Sequence, residues 1–186
     1  MSDKIRCSWC EKDDLYRNYH DNEWGKPVFD DATIFEFLIL ETFQAGLSWY
    51  TVLAKRENFR KAFDNFNVKK IANYSQKKLD ELAENSGIIR NKLKIKATVS
   101  NAQAFIKVQE EFGSFSKYIW GFVGGKPIDN QPKTLAEVPA TTVISDQLSK
   151  DLKKRGFKFV GSTVIYAHMQ ATGMVNDHIL DCWTRK

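Results

Sequence analysis

The chain has little of what holds small secreted proteins or membrane proteins together. Its 186 residues include three cysteines, three histidines and four prolines. Three thiols cannot make the paired framework of a disulfide-stapled domain. No run approaches the roughly 18 apolar residues of a membrane span. Residues 1–19 are polar and charged, with no apolar stretch of a secretory signal, so a cytoplasmic location with reduced thiols is expected. There is no low-complexity tract, internal repeat or long linker. Three of the four prolines fall between Pro127 and Pro139. A single domain, 1–186, is the expectation.

Apolar residues make up 42% of the chain and aromatic residues 13%, including five Trp and thirteen Phe. That suffices for a packed core with rings left over to line a pocket. The formal net charge of +5 gives a mild attraction to a polyanion, a property shared by many soluble proteins.

Helical periodicity dominates from Asp31 onward. Residues 31–45 carry Ile34, Phe35, Phe37, Leu38, Ile39, Leu40 and Phe43, with Asp30 and Asp31 placed to cap the start and Gly46 to end it. Further helices are predicted over 49–63, 75–85, 90–112, 145–154 and 160–171, and a last short one from Asn176. Gly87, Gly113, Gly156 and Gly173 fall where helix ends are expected. No segment shows strand alternation, so the fold class is all-α.

Two of the three histidines stand near cysteines at the chain ends. Cys7 precedes His20, and His178 with Cys182 forms His-x3-Cys, which on a helix places both on one face. Two sulfur and two nitrogen ligands suit tetrahedral Zn2+. Such an ion would tie residues 1–25 to 174–186, the parts otherwise most prone to fray. Cys10, which forms Cys-x2-Cys with Cys7, is a rival ligand. A nucleophilic Cys182–His178 pair is a third reading, for which no orienting group is evident.

Glu41 lies inside the apolar run Phe37–Phe43. A buried, unpaired carboxylate is costly, so it needs a partner, a raised pKa or a task. An ion pair with one of many lysines is the plainer alternative. Tyr16, Tyr19 and Trp24 crowd nine residues, and Trp49 follows Glu41 by eight. Such rings serve most often as core. Beside an acid they also suit a flat, positively charged base, through stacking, cation–π attraction and hydrogen bonding.

These same residues carry a family resemblance. Tyr-x2-Tyr-His-Asp-Asn-Glu-Trp-Gly from Tyr16, Leu-Glu-Thr-Phe-Gln-Ala-Gly-Leu-Ser-Trp from Leu40, Lys-Arg-Glu-Asn-Phe-Arg from Lys55, Gly-Ile-Ile-Arg from Gly87, Lys-Arg-Gly-Phe-Lys-Phe-Val-Gly from Lys154 and Val-Asn-Asp-His from Val175 resemble the 3-methyladenine DNA glycosylase I family. The blocks recur in the family's order and cover nearly the whole chain. The resemblance implies an all-helical member of the helix-hairpin-helix DNA glycosylase superfamily. It would excise 3-methyladenine from double-stranded DNA, releasing the free base, with no membrane association, and a monomer is expected. It also implies structural Zn2+ on Cys7, His20, His178 and Cys182, and a base pocket of Tyr16, Tyr19, Trp24, Glu41 and Trp49.

The implied hairpin covers 155–161. Lys154, Arg155, Gly156, Lys158 and Gly161 are its DNA-binding candidates, since backbone N–H groups at a glycine turn and helix start suit a phosphate. Phe159-Val160-Gly161 keeps only the second glycine of the usual Gly-x-Gly. Glu41 ranks first for catalysis. Asp177 ranks a distant second, because it follows Gly161 sooner than the superfamily's aspartate would, and it could equally cap the last helix. No lysine stands in an apolar pocket segment as a β-lyase would need. The competing functions are a damage-binding protein without activity, a glycosylase for another N3-alkylated purine, and a zinc-stapled interaction module.

Overall fold

The computed structural model describes residues 4–185, so residues 1–3 and 186 of the expected metal-tied termini lie outside it. Ten α-helices run in order among the described residues: α1 Asp14–Asn22, α2 Asp31–Gln44, α3 Trp49–Leu53, α4 Arg56–Ala62, α5 Val68–Ala72, α6 Gln76–Glu84, α7 Lys92–Phe112, α8 Phe115–Gly121, α9 Val143–Lys154 and α10 Ser162–Ala171. Two strands of two residues each, β1 Ile128–Asp129 and β2 Val175–Asn176, pair in parallel with Ile128 opposite Val175. The helix-rich expectation stands, with that pairing as its exception. None of these helices is long and apolar enough to cross a membrane.

Helix α2 is the centre of the molecule. Ile34, Phe35, Phe37, Leu38, Ile39, Leu40, Glu41, Thr42 and Phe43 are all buried. A helix that is apolar on every side belongs inside a core. Its start is capped by Asp30, whose carboxylate accepts from the N–H groups of Ala32 (3.1 Å) and Thr33 (3.0 Å). Asp31 serves a different helix. It accepts from Phe115 N (2.9 Å) and Ser116 N (2.7 Å), so it satisfies the exposed donors at the start of α8.

The C-terminal end of α2 is held by a buried lysine. Lys94 Nζ donates to the carbonyls of Phe43 (2.9 Å) and Ala45 (2.7 Å). A cation at a helix C-terminus meets both the unpaired carbonyls and the negative end of the dipole. Lys94→Met should therefore cost about 3 kcal/mol, the scale of charge-assisted hydrogen bonds. The check is chemical denaturation; an unchanged midpoint would show the lysine to be dispensable.

Several expectations need correction. The helix predicted over 49–63 is two helices. Lys55 leaves the helical region (φ −104°, ψ 2°), and the re-aimed α4 carries Arg56 to Glu23 and Glu36, at 2.6 Å from each. Helices α1, α5 and α8, not read from the sequence, begin after the caps Asp13, Asn67 and Ser114. No helix starts at Asn176. Val175 and Asn176 pair with β1, Leu180 N donates to Pro132 O (2.9 Å), and the described residues end in a 3-10 turn, Trp183–Arg185. His178 and Cys182 therefore meet across a turn, not on a helix face.

Candidate active site and the adjoining Cys/His cluster

The pocket is assembled around the last turn of α2 by residues of α1, α3 and α10 and of the segments that carry Trp9, Trp24, Leu135 and Val138. Asp13 caps α1 by accepting from Tyr16 N (2.9 Å) and also takes the hydroxyl of Tyr50 on α3. That fixes α1 against α3 and brings Tyr16 and Tyr19 toward Trp49. Ser48 caps α3 through Thr51 N (3.3 Å) and so places Trp49 at the helix start. Tyr19 and Trp49 stand 5.3 Å apart between ring centroids.

Together the walls enclose a cavity of about 330 Å³, lined by Trp9, Tyr16, Tyr19, Trp24, Glu41 and Trp49 among others. All five residues expected in a base pocket are there. Trp9 was not read from the sequence; its place beside Cys7 was the available signal. It contacts Tyr16 edge-on at 4.9 Å and Trp24 at 5.1 Å. Gln44, one turn along α2 from Glu41, joins the lining, as do Leu135, Val138, Ala167 and Gln170 from segments that carry no sequence signal of their own.

Glu41 is the chemical centre of this cavity. It is 3% exposed, and Oε2 has no hydrogen-bond partner. The ion-pair alternative is thereby set aside, since no described lysine or arginine reaches the carboxylate. Burial alone pushes its pKa well above the ordinary carboxylate range. Burial likewise holds the Tyr16 hydroxyl up at about 12 and pushes that of Tyr19 well above its ordinary value, so both phenols stay neutral donors. The buried indole N–H of Trp49 is also without a partner. A pocket with an unsatisfied acid, an unsatisfied donor and ring faces is built to receive a flat polar ligand of complementary charge.

The Cys/His cluster shares a wall with the pocket. The ligand atoms of Cys7, His20, His178 and Cys182 all lie within 4.8 Å of one another, and all four residues are buried. Cys182 Sγ stands 3.5 Å from His20 Nε2 and from His178 Nδ1, and Cys7 Sγ stands 3.8 Å from His178 Nδ1. Tetrahedral bonds of about 2.3 Å to sulfur and 2.0 Å to nitrogen separate S and N by roughly 3.5 Å. The remaining ring nitrogens are held as well. His20 Nδ1 meets Asp21 at 2.8 Å, and His178 Nε2 donates to the Trp24 carbonyl at 3.0 Å, the outer support that metal-binding histidines require. Cys10 is buried but outside the group. The third histidine, His168, has neither ring nitrogen bonded, and burial pushes its pKa down to about 3, so it is a neutral core side chain.

Trp24 joins the two sites. Its ring lies 4.6 Å from that of His178, edge-on, and stacks over His20 at 6.2 Å while its other side lines the cavity. Gly25 follows with φ +76°, and a Cβ there would come within 2.9 Å of the His178 ring. Gly173 (φ +66°) is tighter, since a Cβ would lie 2.2 Å from the Lys26 carbonyl carbon. Only glycine permits these approaches between the chain ends.

The turn 155–161 joins α9 to α10. Asn101 of α7 clamps it, accepting from Lys158 N (2.8 Å) and donating to Lys158 O (3.1 Å). Gly161 leaves the start of α10 without a side-chain cap. Lys154, Gly156 and Lys158 are exposed. Arg155 is engaged within the protein, at 2.6 Å from Asp151 and 2.7 Å from Glu111.

The chain is similar to known proteins over almost its whole length. The family model for methyladenine glycosylase matches residues 9–186. DNA-3-methyladenine glycosylase 1 of Escherichia coli (strain K12) is 48% identical over 177 residues, covering 95% of each chain. A crystal structure of 3-methyladenine DNA glycosylase I has a TM-score of 0.94 at 49% identity, covering 96% of this chain and 98% of that one. A Staphylococcus aureus 3-methyladenine DNA glycosylase I, solved to explain its recognition of 3-methyladenine, has a TM-score of 0.94 at 38% identity over 97% and 96% of the two chains. With sequence and fold agreeing from one end to the other, the chain belongs to the methyladenine glycosylase family.

Proposed function

We propose that the protein is a monofunctional DNA-repair glycosylase that hydrolyses the N-glycosidic bond of 3-methyladenine in alkylated double-stranded DNA. The observation that carries this reading is Glu41, an unpartnered carboxyl buried among Tyr16, Tyr19, Trp24 and Trp49. Methylation at N3 makes adenine a cation, the charge such a pocket favours. The family and its relatives support the same substrate.

The target lies inside the duplex, so the nucleotide is flipped into the cavity at a cost of a few kcal/mol. The rings then stack on the base while Glu41 reads its edge and balances its charge. The glycosidic bond breaks with its electron pair going to the base, which leaves as neutral 3-methyladenine. Water adds its oxygen to the sugar C1′ and releases a proton to solvent. Little acid assistance to the leaving group is needed. Unmodified adenine is neutral and gains less from the pocket, which supplies selectivity.

The α9–turn–α10 unit is read as the helix-hairpin-helix. The uncapped start of α10, with Gly156, Gly161, Lys154 and Lys158, suits a DNA phosphate. Arg155, already paired twice, braces the turn. Cys7, His20, His178 and Cys182 would hold a structural Zn2+, whose contribution is to tie the chain ends behind the pocket. The protein is taken to act as a cytoplasmic monomer.

The test is chromatographic detection of bases released from methylated duplex DNA. Release of 3-methyladenine supports the reading. Tight binding without release would make the protein a damage binder, and release of other alkylpurines alone would change the substrate. Lys158→Gln should weaken binding about equally for all DNA sequences and lower the slope of log K against log salt by about 1. An affinity indifferent to salt would argue for an interaction module instead.

A further inference from the structure

Asp177, the acid ranked second from the sequence, is 1% exposed and makes no ion pair among the described residues. Its carboxylate is met by three neutral donors. Asn130 Nδ2 donates to Oδ1 (2.6 Å), and Tyr166 Oη (2.7 Å) and Gln170 Nε2 (2.8 Å) donate to Oδ2. Asn130 Nδ2 also donates to Tyr166 Oη (3.2 Å), which makes a closed frame between α10 and the end of β1. Of the three donors, Gln170 alone lines the cavity that holds Glu41.

This frame fixes which way the Gln170 amide faces. A carboxylate that accepts hydrogen bonds must be met by the amide nitrogen, so the planar group turns its oxygen away from Asp177. Among the described residues that oxygen has no protein partner. The main chain is held too, because the Gln170 carbonyl accepts from Gly25 N (3.0 Å) and Gly173 N (3.2 Å).

We propose that Gln170 is a specificity-determining residue whose amide oxygen accepts a hydrogen bond from the exocyclic amino group of the flipped base. Asp177 is the positioning residue that prevents the amide from inverting. The inference rests on the 3-methyladenine reading above. In DNA, N3-methylated adenine carries N–H donors only on its exocyclic amino group, so a fixed acceptor can meet nothing else on the base. A 6-oxo purine presents an acceptor there and is repelled. A freely rotating glutamine amide would serve either base; one held by its nitrogen serves only the first. The Asp177 carboxylate is thus used for recognition, two bonds removed from the ligand.

Asp177→Asn tests the lock, since a side-chain amide offers both a donor and an acceptor and lets Gln170 invert. Gln170→Met removes the acceptor at similar volume. Dissociation constants for free 3-methyladenine and for 3-methylhypoxanthine, its 6-oxo counterpart, are read from pocket tryptophan fluorescence. Base release from methylated duplex is followed beside them. Wild type should release 3-methyladenine and prefer it over the oxo base. Gln170→Met, with its melting temperature kept, should bind 3-methyladenine about tenfold more weakly, the scale of one lost hydrogen bond, and shrink that preference. Asp177→Asn should shrink the preference when Gln170 is present and leave it unchanged in the Gln170→Met background. An unaltered preference in Gln170→Met overturns the proposal. So does an equal Asp177→Asn effect in both backgrounds, or one confined to melting temperature. Wild type that releases no 3-methyladenine overturns the functional reading itself.

Discussion

Glu41→Gln should lower 3-methyladenine release by on the order of 10²- to 10³-fold, the scale for removing one preorganised electrostatic group from a water-poor site, and should raise the melting temperature. The two effects share a cause. The carboxyl is buried with one oxygen unpartnered, a cost that an uncharged amide avoids in the free enzyme. A gain of 1 kcal/mol raises the melting temperature of a chain this size by about 2–4 °C. Catalysis loses because the amide carries no charge to set against the cationic base.

The pH dependence follows from the direction of the Glu41 shift. Below about 4.3, the ordinary glutamic acid value, folded and unfolded chains both hold the proton and the group contributes nothing. Above it the unfolded chain releases the proton while the folded chain retains it, so stability falls until the pH passes the raised value. Wild type should lose stability across that window relative to Glu41→Gln. Over the same window its kcat/KM should rise as the ionised form becomes accessible, and the variant should show no such rise. A wild-type-minus-variant stability difference that stays flat with pH would mean that Glu41 is not held as a neutral buried acid.

What the sequence made legible divides by the range of the interaction. The core helix α2 was readable because nine of its ten positions from Ile34 to Phe43 are buried and Asp30 stands where a cap must. Glu41 was legible by contrast, as a lone acid within that run. The Cys/His set depended on residue type alone, and it came together although the helix expected to carry His178 and Cys182 does not exist. Helices of five to nine residues such as α1, α5 and α8 were missed, because so few positions give no clear period and their caps are single polar side chains. Gln170 was invisible for another reason. Its role depends on Asp177, Tyr166 and Asn130 meeting in space, and Asn130 is 40 residues away along the chain.

Withdrawal of the proposed Zn2+ should produce the largest change in stability. The four candidate ligands come from Cys7 before α1, His20 on α1, and His178 and Cys182 after β2, so an ion held by them would close nearly the whole chain into a loop. An ion that binds only the folded state contributes about 4 kcal/mol when its free concentration is 1,000 times its dissociation constant. At about 2–4 °C per kcal/mol, chelation should lower the melting temperature by roughly 10 °C. The loss should reach the base pocket as well. Trp24 packs on His20 and His178 and lines the cavity, and the His178 ring donates to the Trp24 carbonyl. Affinity for free 3-methyladenine should therefore fall on chelation and return when Zn2+ is restored. Cys182→Ser should bind less metal and melt low with or without chelator, whereas Cys10→Ser should keep one ion per chain, because Cys10 lies outside the cluster. Elemental analysis fixes the metal content of each sample. Protein shown to be metal-free that keeps both its melting temperature and its base affinity would reduce the Cys/His cluster to ordinary core packing. A cluster that controls both would make the joined chain ends the rigid back wall on which base recognition depends.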